Sequence, residues 1–392
     1  MRLKIINGDI ITPYRYIRNG TVLVENGIII GVYEGNVDFP DAQIINANGN
    51  YIAPGFIDLH VHGGGGHDFM DGSAEAFLAI AETHAQYGTT SMVPTTLTSE
   101  KEDLLQTLDL YEQANAANQK GAKFLGMHLE GPYFALSQRG AQDPRYIRNP
   151  DPAEYEEVLA YSGSITRWSA APELPGAIEF GRRLREKGIL AAIAHTDAVY
   201  EEVLEAYENG YSLATHLYSA MSGVTRKNAF RYAGTIESAF LLDMDVEIIA
   251  DGVHLPAPLL KLIYKIKGAD RIALITDAMR AAGMPEGEST LGSLKNGLKV
   301  IVEDGVAKLP DRTSFAGSVS TTDRLVRNMV QMADVSLLDS VRMMTVTPAR
   351  IMGASQKGSL AAGKDADIVI FDQDIRIQMT IVEGKIIYKK QV

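Results

Sequence analysis

The chain has 392 residues, of which 46% are hydrophobic and 22% charged, and its formal net charge is −12 at pH 7. This length accommodates one large barrel and a small accessory domain, while the negative charge argues against nucleic-acid binding, which depends on basic surface. The chain contains no cysteine, so any metal ion must be held by nitrogen and oxygen ligands.

Residues 1–53 differ from the central part of the chain, because short β-rich runs alternate there with Asn-Gly turns, a pattern typical of β-hairpins. The pattern returns between residues 366 and 388, again around a Glu-Gly turn. Neither piece is long enough to form a stable sheet alone. We therefore predict a small β-sandwich domain built from residues 1–53 and 358–392, with residues 54–357 inserted between its two parts.

Residues 54–357 alternate apolar runs with amphipathic stretches, which indicates repeated βα units. The predicted strands are 55–60, 91–95, 124–130, 165–171, 190–195, 212–216, 246–251 and 272–277. The predicted helices are 74–87, 101–118, 152–161, 177–187, 200–209, 234–242, 258–267, 321–333 and 337–351. Eight parallel strands close a barrel, so the expected fold is α/β, a (β/α)8 barrel of the TIM type.

The amino terminus lacks the apolar core of a secretory signal, and no run of about 18 apolar residues is present. The sequence therefore predicts a cytoplasmic protein that does not enter a membrane.

Histidines lie at the predicted end of the first strand. His60 and His62 are two residues apart, so both side chains project from the same face and can chelate one ion. At the carboxyl end of a barrel strand, side chains on that face point into the mouth of the barrel. TIM-barrel enzymes place their active sites there.

A carboxylate ends the third predicted strand. Glu130 follows apolar residues, and an unbalanced charge there costs free energy unless a cation lies beside it. A salt bridge to Arg139 is the alternative, but His195 and His216 end later strands in the same way. One carboxylate and two imidazoles leave a coordination position for water, the usual arrangement of a catalytic zinc site. We therefore favour a metal site.

Asp277 ends the eighth predicted strand, where it is placed to act as a base on water; its alternative role is to cap a following helix. The roles of His254 and His128 stay open between a substrate contact, a partner of a metal ligand and a core histidine. His67 and His84 are expected to be structural.

Motifs are spread over nearly the whole chain. They are Pro54-Gly-Phe-Ile-Asp-Leu-His-Val-His62-Gly, His128-Leu-Glu-Gly-Pro132, Ala194-His-Thr-Asp197, Thr215-His-Leu-Tyr218, Asp251-Gly-Val-His254, Thr276-Asp-Ala278, Ala316-Gly-Ser318 and Thr347-Pro-Ala-Arg350. In these motifs the chain resembles the metal-dependent amidohydrolases, and among them the N-acetylglucosamine-6-phosphate deacetylase family.

The resemblance implies a divalent ion held by Glu130, His195 and His216, with Asp277 as catalytic base and acid and a second ion at His60 and His62 in binuclear members. Zinc is the expected metal, with iron, manganese and cobalt as alternatives. The residues that it implies for the sugar and its phosphate are Ala141, Gln142, Ser219, Ala220, Arg226, Lys227, Asp251, His254, Phe315, Ala316 and Gly317. It also implies a homodimer, because in the family the arginine that binds phosphate comes from the neighbouring subunit.

Two positions depart from the family pattern. Gln142 stands where the family commonly has histidine, and Ser219 where it usually has asparagine. Both positions are expected to touch the sugar or its phosphate rather than the metal. Two other substrates therefore stay open, N-acetylgalactosamine 6-phosphate and a cyclic amide, although enzymes for cyclic amides usually carry a modified lysine on the fourth strand, which here has none. A non-catalytic scaffold is the remaining alternative.

Overall fold

The computed structural model describes residues 1–391, and Val392, the last residue of the predicted small domain, lies outside them. The strands are β1 Arg2–Ile11, β2 Tyr16–Glu25, β3 Ile28–Glu34, β4 Gln43–Asn46, β5 Tyr51–Pro54, β6 Phe56–Val61, β7 Gly63–Gly64, β8 His67–Asp68, β9 Thr89–Pro94, β10 Lys123–Phe124, β11 Met127–Glu130, β12 Ile165–Ala170, β13 Leu190–Ile193, β14 Tyr211–Ala214, β15 Thr225–Lys227, β16 Phe230–Tyr232, β17 Asp245–Ile248, β18 Ile272–Leu274, β19 Gly287–Leu291, β20 Leu298–Glu303, β21 Val306–Lys308, β22 Phe315–Ser318, β23 Ile368–Phe371, β24 Ile377–Val382 and β25 Lys385–Lys389. The helices are α1 Ala74–Ala85, α2 Lys101–Ala117, α3 Pro152–Tyr161, α4 Ala177–Glu186, α5 Tyr200–Glu208, α6 Thr235–Leu241, α7 Ala257–Lys267, α8 Thr322–Gln331, α9 Leu337–Met343 and α10 Val346–Ile351.

The predicted barrel is confirmed. Parallel strands β6, β9, β10–β11, β12, β13, β14, β17 and β18 follow one another around it. The first and last strands meet through a parallel bridge between Val61 and Ala278, and the Asp277 N–H donates to the His60 carbonyl at 2.9 Å. The third strand is interrupted at Gly126, whose φ of +101° favours glycine. All of β6 and β9 is buried, as expected of strands that are covered on both faces.

The outer helices bury one face each. In α4, for example, the buried residues Ala177, Phe180, Gly181 and Leu184 recur at three- and four-residue spacing. The predicted helix 337–351 is wrong as a single element, because α9 ends at Met343 and α10 begins at Val346. Pro348 has no N–H to bond to the preceding turn, so it is tolerated only in the first turn of a new helix. No helix within residues 1–391 combines the length and the apolar character needed to cross a membrane.

The two ends of the chain pair in one eight-stranded sheet, in the order β25-β24-β23-β5-β1-β2-β3, with β4 also paired to β1. Strand β5, which the sequence did not predict, joins the two ends by pairing with both β1 and β23. Register shifts on either side of Gly8 mark a bulge in β1, and a bulge bends its strand. Apolar side chains from both ends, such as Ile5, Val22, Ile368 and Ile381, share one core.

Two larger elements were not predicted, besides the short pair β7–β8. Strands β15 and β16 form an exposed hairpin, and β19 to β22 form a four-stranded antiparallel sheet between the last barrel strand and α8. This second element reaches the mouth of the barrel, because the Ser318 N–H donates to the Asp277 carbonyl at 2.7 Å. Gly317 beside it has a φ of +68°, and a β-carbon there would lie 3.0 Å from the same carbonyl oxygen.

Candidate active site

All five predicted metal ligands and the predicted base meet at the carboxyl-terminal mouth of the barrel. His60 lies in β6 and His62 immediately follows that strand, Glu130 ends β11, and the other three residues lie two or three residues beyond the ends of β13, β14 and β18. The ligand atoms of Glu130, His195 and His216 lie within 4.8 Å of one another, and so do those of His60, His62 and Glu130. Residues far apart in sequence are therefore brought together in two groups that share Glu130.

Glu130 lies at the centre of these contacts. Its Oε1 is 3.0 Å from Nε2 of His216 and 3.5 Å from Nε2 of His195. Its Oε2 is 3.4 Å from Nε2 of His62. Within residues 1–391, Glu130 makes no salt bridge to Arg139 or to any other arginine. The alternative in which an arginine balances the charge of Glu130 is therefore excluded.

Asp277 also lies beside the histidine pair. Its Oδ1 is 3.2 Å from Nε2 of His62 and 3.6 Å from Nε2 of His60, and the two imidazole nitrogens are themselves 3.1 Å apart. No helix begins after Asp277 until Thr322, so the alternative role as a helix cap is also excluded. Five nitrogen and oxygen donors thus face a common space, which suits a divalent cation.

Three of these residues adopt an unusual backbone conformation. His195, His216 and Asp277 have φ values of 48°, 33° and 48°, in the left-handed region. That conformation costs a residue other than glycine about 1–2 kcal/mol, and such residues concentrate at functional sites, where the surrounding structure holds them in place. The backbone after β13, β14 and β18 is therefore held in a costly conformation that orients these three side chains.

The charges of the site reinforce one another. Burial alone would raise the pKa of Glu130, but the imidazoles of His60, His195 and His216 outweigh it and hold that pKa well below the usual range. Burial likewise opposes ionisation of Asp277, yet His60 and His62 lower its pKa. Both carboxylates are therefore ionised at neutral pH, as metal ligation and base catalysis require.

The predicted ligands rest on a buried polar layer. Nε2 of His128 lies 2.7 Å from the Ser169 hydroxyl and its ring packs edge-on against His60 at 4.7 Å, so this histidine supports a predicted ligand. Asp58 accepts hydrogen bonds from the backbone N–H and the hydroxyl of Thr276, at 3.1 and 2.6 Å, and so ties the first strand to the last. His84 is buried, and its Nε2 lies 2.9 Å from the Gly63 carbonyl, which is a structural contact.

A cavity of about 580 Å³ opens above the ligands. The predicted substrate residues that line it are Ala141, Gln142, Ser219, Ala220, His254, Phe315 and Gly317. Asp251 lies beneath His254 and accepts a 2.7 Å hydrogen bond from its Nδ1, while Ala316 is fully buried behind the wall. Lys308 and Arg312 also line the cavity, and sequence reasoning missed both because Lys308 ends β21 and Arg312 lies in the loop between β21 and β22, within a sheet that was not predicted.

Arg226 and Lys227 lie elsewhere. Both belong to β15 in the exposed hairpin, and neither lines the cavity of its own chain. The hairpin also exposes Phe230, which is 70% accessible. The structure of one chain therefore does not bring these two predicted residues to the site.

Gln142 has a contact that the sequence did not predict. Its side-chain N–H donates to Oε2 of Glu130 at 2.7 Å, so it touches a predicted metal ligand as well as lining the cavity. The expectation that this position meets the sugar or its phosphate stays a prediction, and the contact with Glu130 is an addition to it, made because the loop that carries Gln142 folds back over the end of β11.

The barrel fold, the predicted ligands at the strand ends and the cavity above them together define the class of metal-dependent hydrolases. A family model described as the amidohydrolase family matches residues 51–387, and the chain belongs to that family. It is 36% identical over 351 residues to N-acetylglucosamine-6-phosphate deacetylase from Lysinibacillus sphaericus, with 87% of each chain covered. It is 33% identical over 347 residues to N-acetylgalactosamine-6-phosphate deacetylase from Escherichia coli O157:H7, covering 88% of this chain and 89% of the relative.

Solved structures give the same result. N-acetyl-D-glucosamine-6-phosphate deacetylase from Mycobacterium smegmatis, as an aspartate-to-alanine variant in complex with N-acetyl-D-glucosamine-6-phosphate, matches with a TM-score of 0.91 and 30% identity. The match covers 99% of this chain and 100% of that one. The family resemblance seen in the motifs is confirmed.

Proposed function

We propose that this chain hydrolyses N-acetyl-D-glucosamine 6-phosphate to D-glucosamine 6-phosphate and acetate. One observation carries the proposal: Glu130, His195 and His216 converge below an open cavity, with Asp277 beside them. The relatives in both comparisons act on acetylated amino-sugar phosphates by name, and a cavity of about 580 Å³ is of the size that small-molecule sites have.

The donor set fits a divalent cation. Glu130, His195 and His216 would hold one ion, and His60 with His62 would hold a second that shares Glu130. We propose zinc for this role, since three nitrogen and oxygen ligands are typical of catalytic zinc; iron, manganese and cobalt have similar ligand preferences. Such an ion supplies Lewis-acid activation of water and of the amide carbonyl at neutral pH.

Asp277 moves the proton. Its ionised carboxylate accepts a proton from water as the water oxygen bonds to the acetamide carbonyl carbon. The same carboxyl group then passes that proton to the amide nitrogen, so that the carbon–nitrogen bond breaks and the amine leaves, with acetate as the second product. His254 is held through Nδ1 by Asp251, which leaves its Nε2 for a substrate oxygen.

A second candidate substrate is N-acetylgalactosamine 6-phosphate. It is favoured by the E. coli relative and requires only a small change in the pocket wall. A cyclic amide is less well supported, because the fourth strand, β12, has no lysine: its polar buried positions hold Arg167, which is paired with Glu247, and Ser169, which contacts His128.

The substrate prediction is tested with purified protein of measured metal content. We expect acetate release from N-acetylglucosamine 6-phosphate to exceed release from the galactosamine epimer, and ring opening of a cyclic amide to be undetectable. Chelator-treated protein serves as the control: it should lose activity and regain it when the divalent ion is restored. Ring opening faster than acetate release, or full activity after complete metal removal, would contradict the proposal.

We also propose a cytoplasmic homodimer in which the hairpin β15–β16 supplies Arg226 or Lys227 to the phosphate bound by the partner. Support comes from the exposure of both cations and from their position outside the cavity of their own chain. A dianionic phosphate at the cavity rim needs such cations.

Subunit mixing tests the dimer. A protein with both Arg226→Ala and Lys227→Ala should show a raised KM, and a protein with Asp277→Asn should have a kcat lowered by about 10²–10⁴-fold. In a mixed dimer, the intact Asp277 of one subunit faces the intact hairpin of the other, so mixing should restore a low KM. If the cations act within their own chain, mixing restores nothing, and a monomer by light scattering would also contradict the dimer.

A further inference from the structure

One loop contacts two of the proposed metal ligands. It follows β11 and runs from residue 135 to residue 142. The carbonyl oxygen of Gln138 accepts from Nδ1 of His195 at 2.8 Å, which leaves Nε2 of that imidazole directed at Glu130. Four residues later, Nε2 of Gln142 donates to Oε2 of Glu130 at 2.7 Å.

The orientation of the Gln142 amide is fixed by its other end. Its Oε1 accepts from both the backbone N–H and the hydroxyl of Thr98, each at 2.9 Å. Two donors on one side leave the NH₂ group no other direction than Glu130. Gln142 is 5% exposed and Thr98 6%, so these hydrogen bonds are largely shielded from water.

The two oxygens of Glu130 therefore have different surroundings. Oε1 faces the imidazoles of His60, His195 and His216, whereas Oε2 faces His62 and the Gln142 amide. The Gln142 amide fixes the plane of the Glu130 carboxylate. Because this neutral donor binds Oε2, Oε1 stays free to bind an ion. Nothing else within residues 1–391 is seen to fix that plane except the imidazoles, which the ion itself would engage.

We infer that Gln142 is a positioning residue, which orients Glu130 and thereby sets how tightly the Glu130–His195–His216 group holds its ion. This inference rests on the proposed metal centre. It differs from the sequence expectation, in which the same position served the substrate alone. Removal of such a ligand partner typically lowers metal affinity about 10–100-fold.

The test is ion retention, measured apart from turnover. Wild-type protein and the variant Gln142→Leu are loaded with Co²⁺, and its release to a chromophoric chelator is followed together with the visible spectrum of the bound ion. We expect Gln142→Leu to release Co²⁺ about 10–100-fold faster and to change the spectrum. Gln138→Leu is the matched control from the same loop and should release Co²⁺ at the wild-type rate, because only its backbone oxygen contacts His195.

Thr98 gives a second, independent variant. Thr98→Val removes one of the two donors to Gln142 without touching Glu130, and should speed release by an intermediate factor, while Thr98→Ser keeps both donors and should not. Wild-type release from Gln142→Leu and Thr98→Val, with a raised KM for Gln142→Leu, would overturn the inference and return Gln142 to the substrate. Failure of the wild-type protein to bind Co²⁺ would instead overturn the metal centre, and this inference with it.

Discussion

Replacing Asp277 by asparagine is expected to lower kcat for deacetylation by about 10²–10⁴-fold while the metal content of the protein stays unchanged. Asparagine has the shape of aspartate but cannot accept a proton from water or return one to the leaving nitrogen. Asp277 lies outside both groups of converging ligand atoms, so its loss should spare the ion. Steady-state kinetics with elemental analysis of the same preparation measures both quantities.

Asp143→Asn is the matched control for this substitution. Its carboxylate binds Arg145 rather than the ligands, so the same chemical change there should leave kcat at the wild-type value. Turnover by Asp277→Asn within a few-fold of wild type would exclude Asp277 as the proton carrier. A variant that had lost its ion would show instead that Asp277 is a ligand.

The barrel could be predicted because most of its strands are buried on both faces and contain short apolar runs, which alternate with amphipathic stretches. The predicted ligands could be found for a related reason: His195 and His216 follow such runs directly, where a polar side chain has no packing role. Sequence spacing placed His60 and His62 on one face, and their imidazole nitrogens do lie 3.1 Å apart. Each of these predictions depends only on residues that are neighbours in the sequence.

What the sequence did not predict depends on contacts between distant segments. Gln142 and Thr98 are 44 residues apart in the sequence, and no periodic pattern predicts that they form a hydrogen bond. The sheet β19–β22 is only partly buried, so its strands lack long apolar runs. The break in the predicted helix 337–351 is different, since Pro348 is a local signal in the sequence for the first turn of a new helix.

The buried pair of Arg167 and Glu247 could not be predicted either, and it leads to the largest expected effect on stability. Arg167 lies on β12 and Glu247 on β17, so the pair spans the barrel interior beneath the ligands. Both side chains are 0% exposed. Arg167 also donates to the Leu59 carbonyl at 3.1 Å and to the Thr215 hydroxyl at 2.8 Å, next to His60 and His216.

Glu247→Gln is expected to lower the free energy of unfolding by about 3–5 kcal/mol, because it leaves the Arg167 charge buried without a counter-charge. The double variant Arg167→Met, Glu247→Leu should lose less than Glu247→Gln, since no charge then remains in the interior. Urea unfolding followed by circular dichroism measures all three proteins. Glu156→Gln, which breaks the exposed contact with Arg183, is the control and should leave the midpoint unchanged.

The loss of stability caused by Glu247→Gln should also depend on pH. Burial would raise the pKa of Glu247, but the charges of Arg167 and His60 outweigh it and lower that pKa below the ordinary carboxyl value. The stabilisation is therefore present at neutral pH and is lost as the pH falls below that ordinary value towards the lowered one. Wild-type and Glu247→Gln proteins should accordingly differ most near neutrality and converge in acid. A constant difference at all pH values would show that glutamine disturbs packing rather than charge, and an unchanged midpoint at pH 7 would show that this ion pair does not stabilise the barrel beneath its ligands.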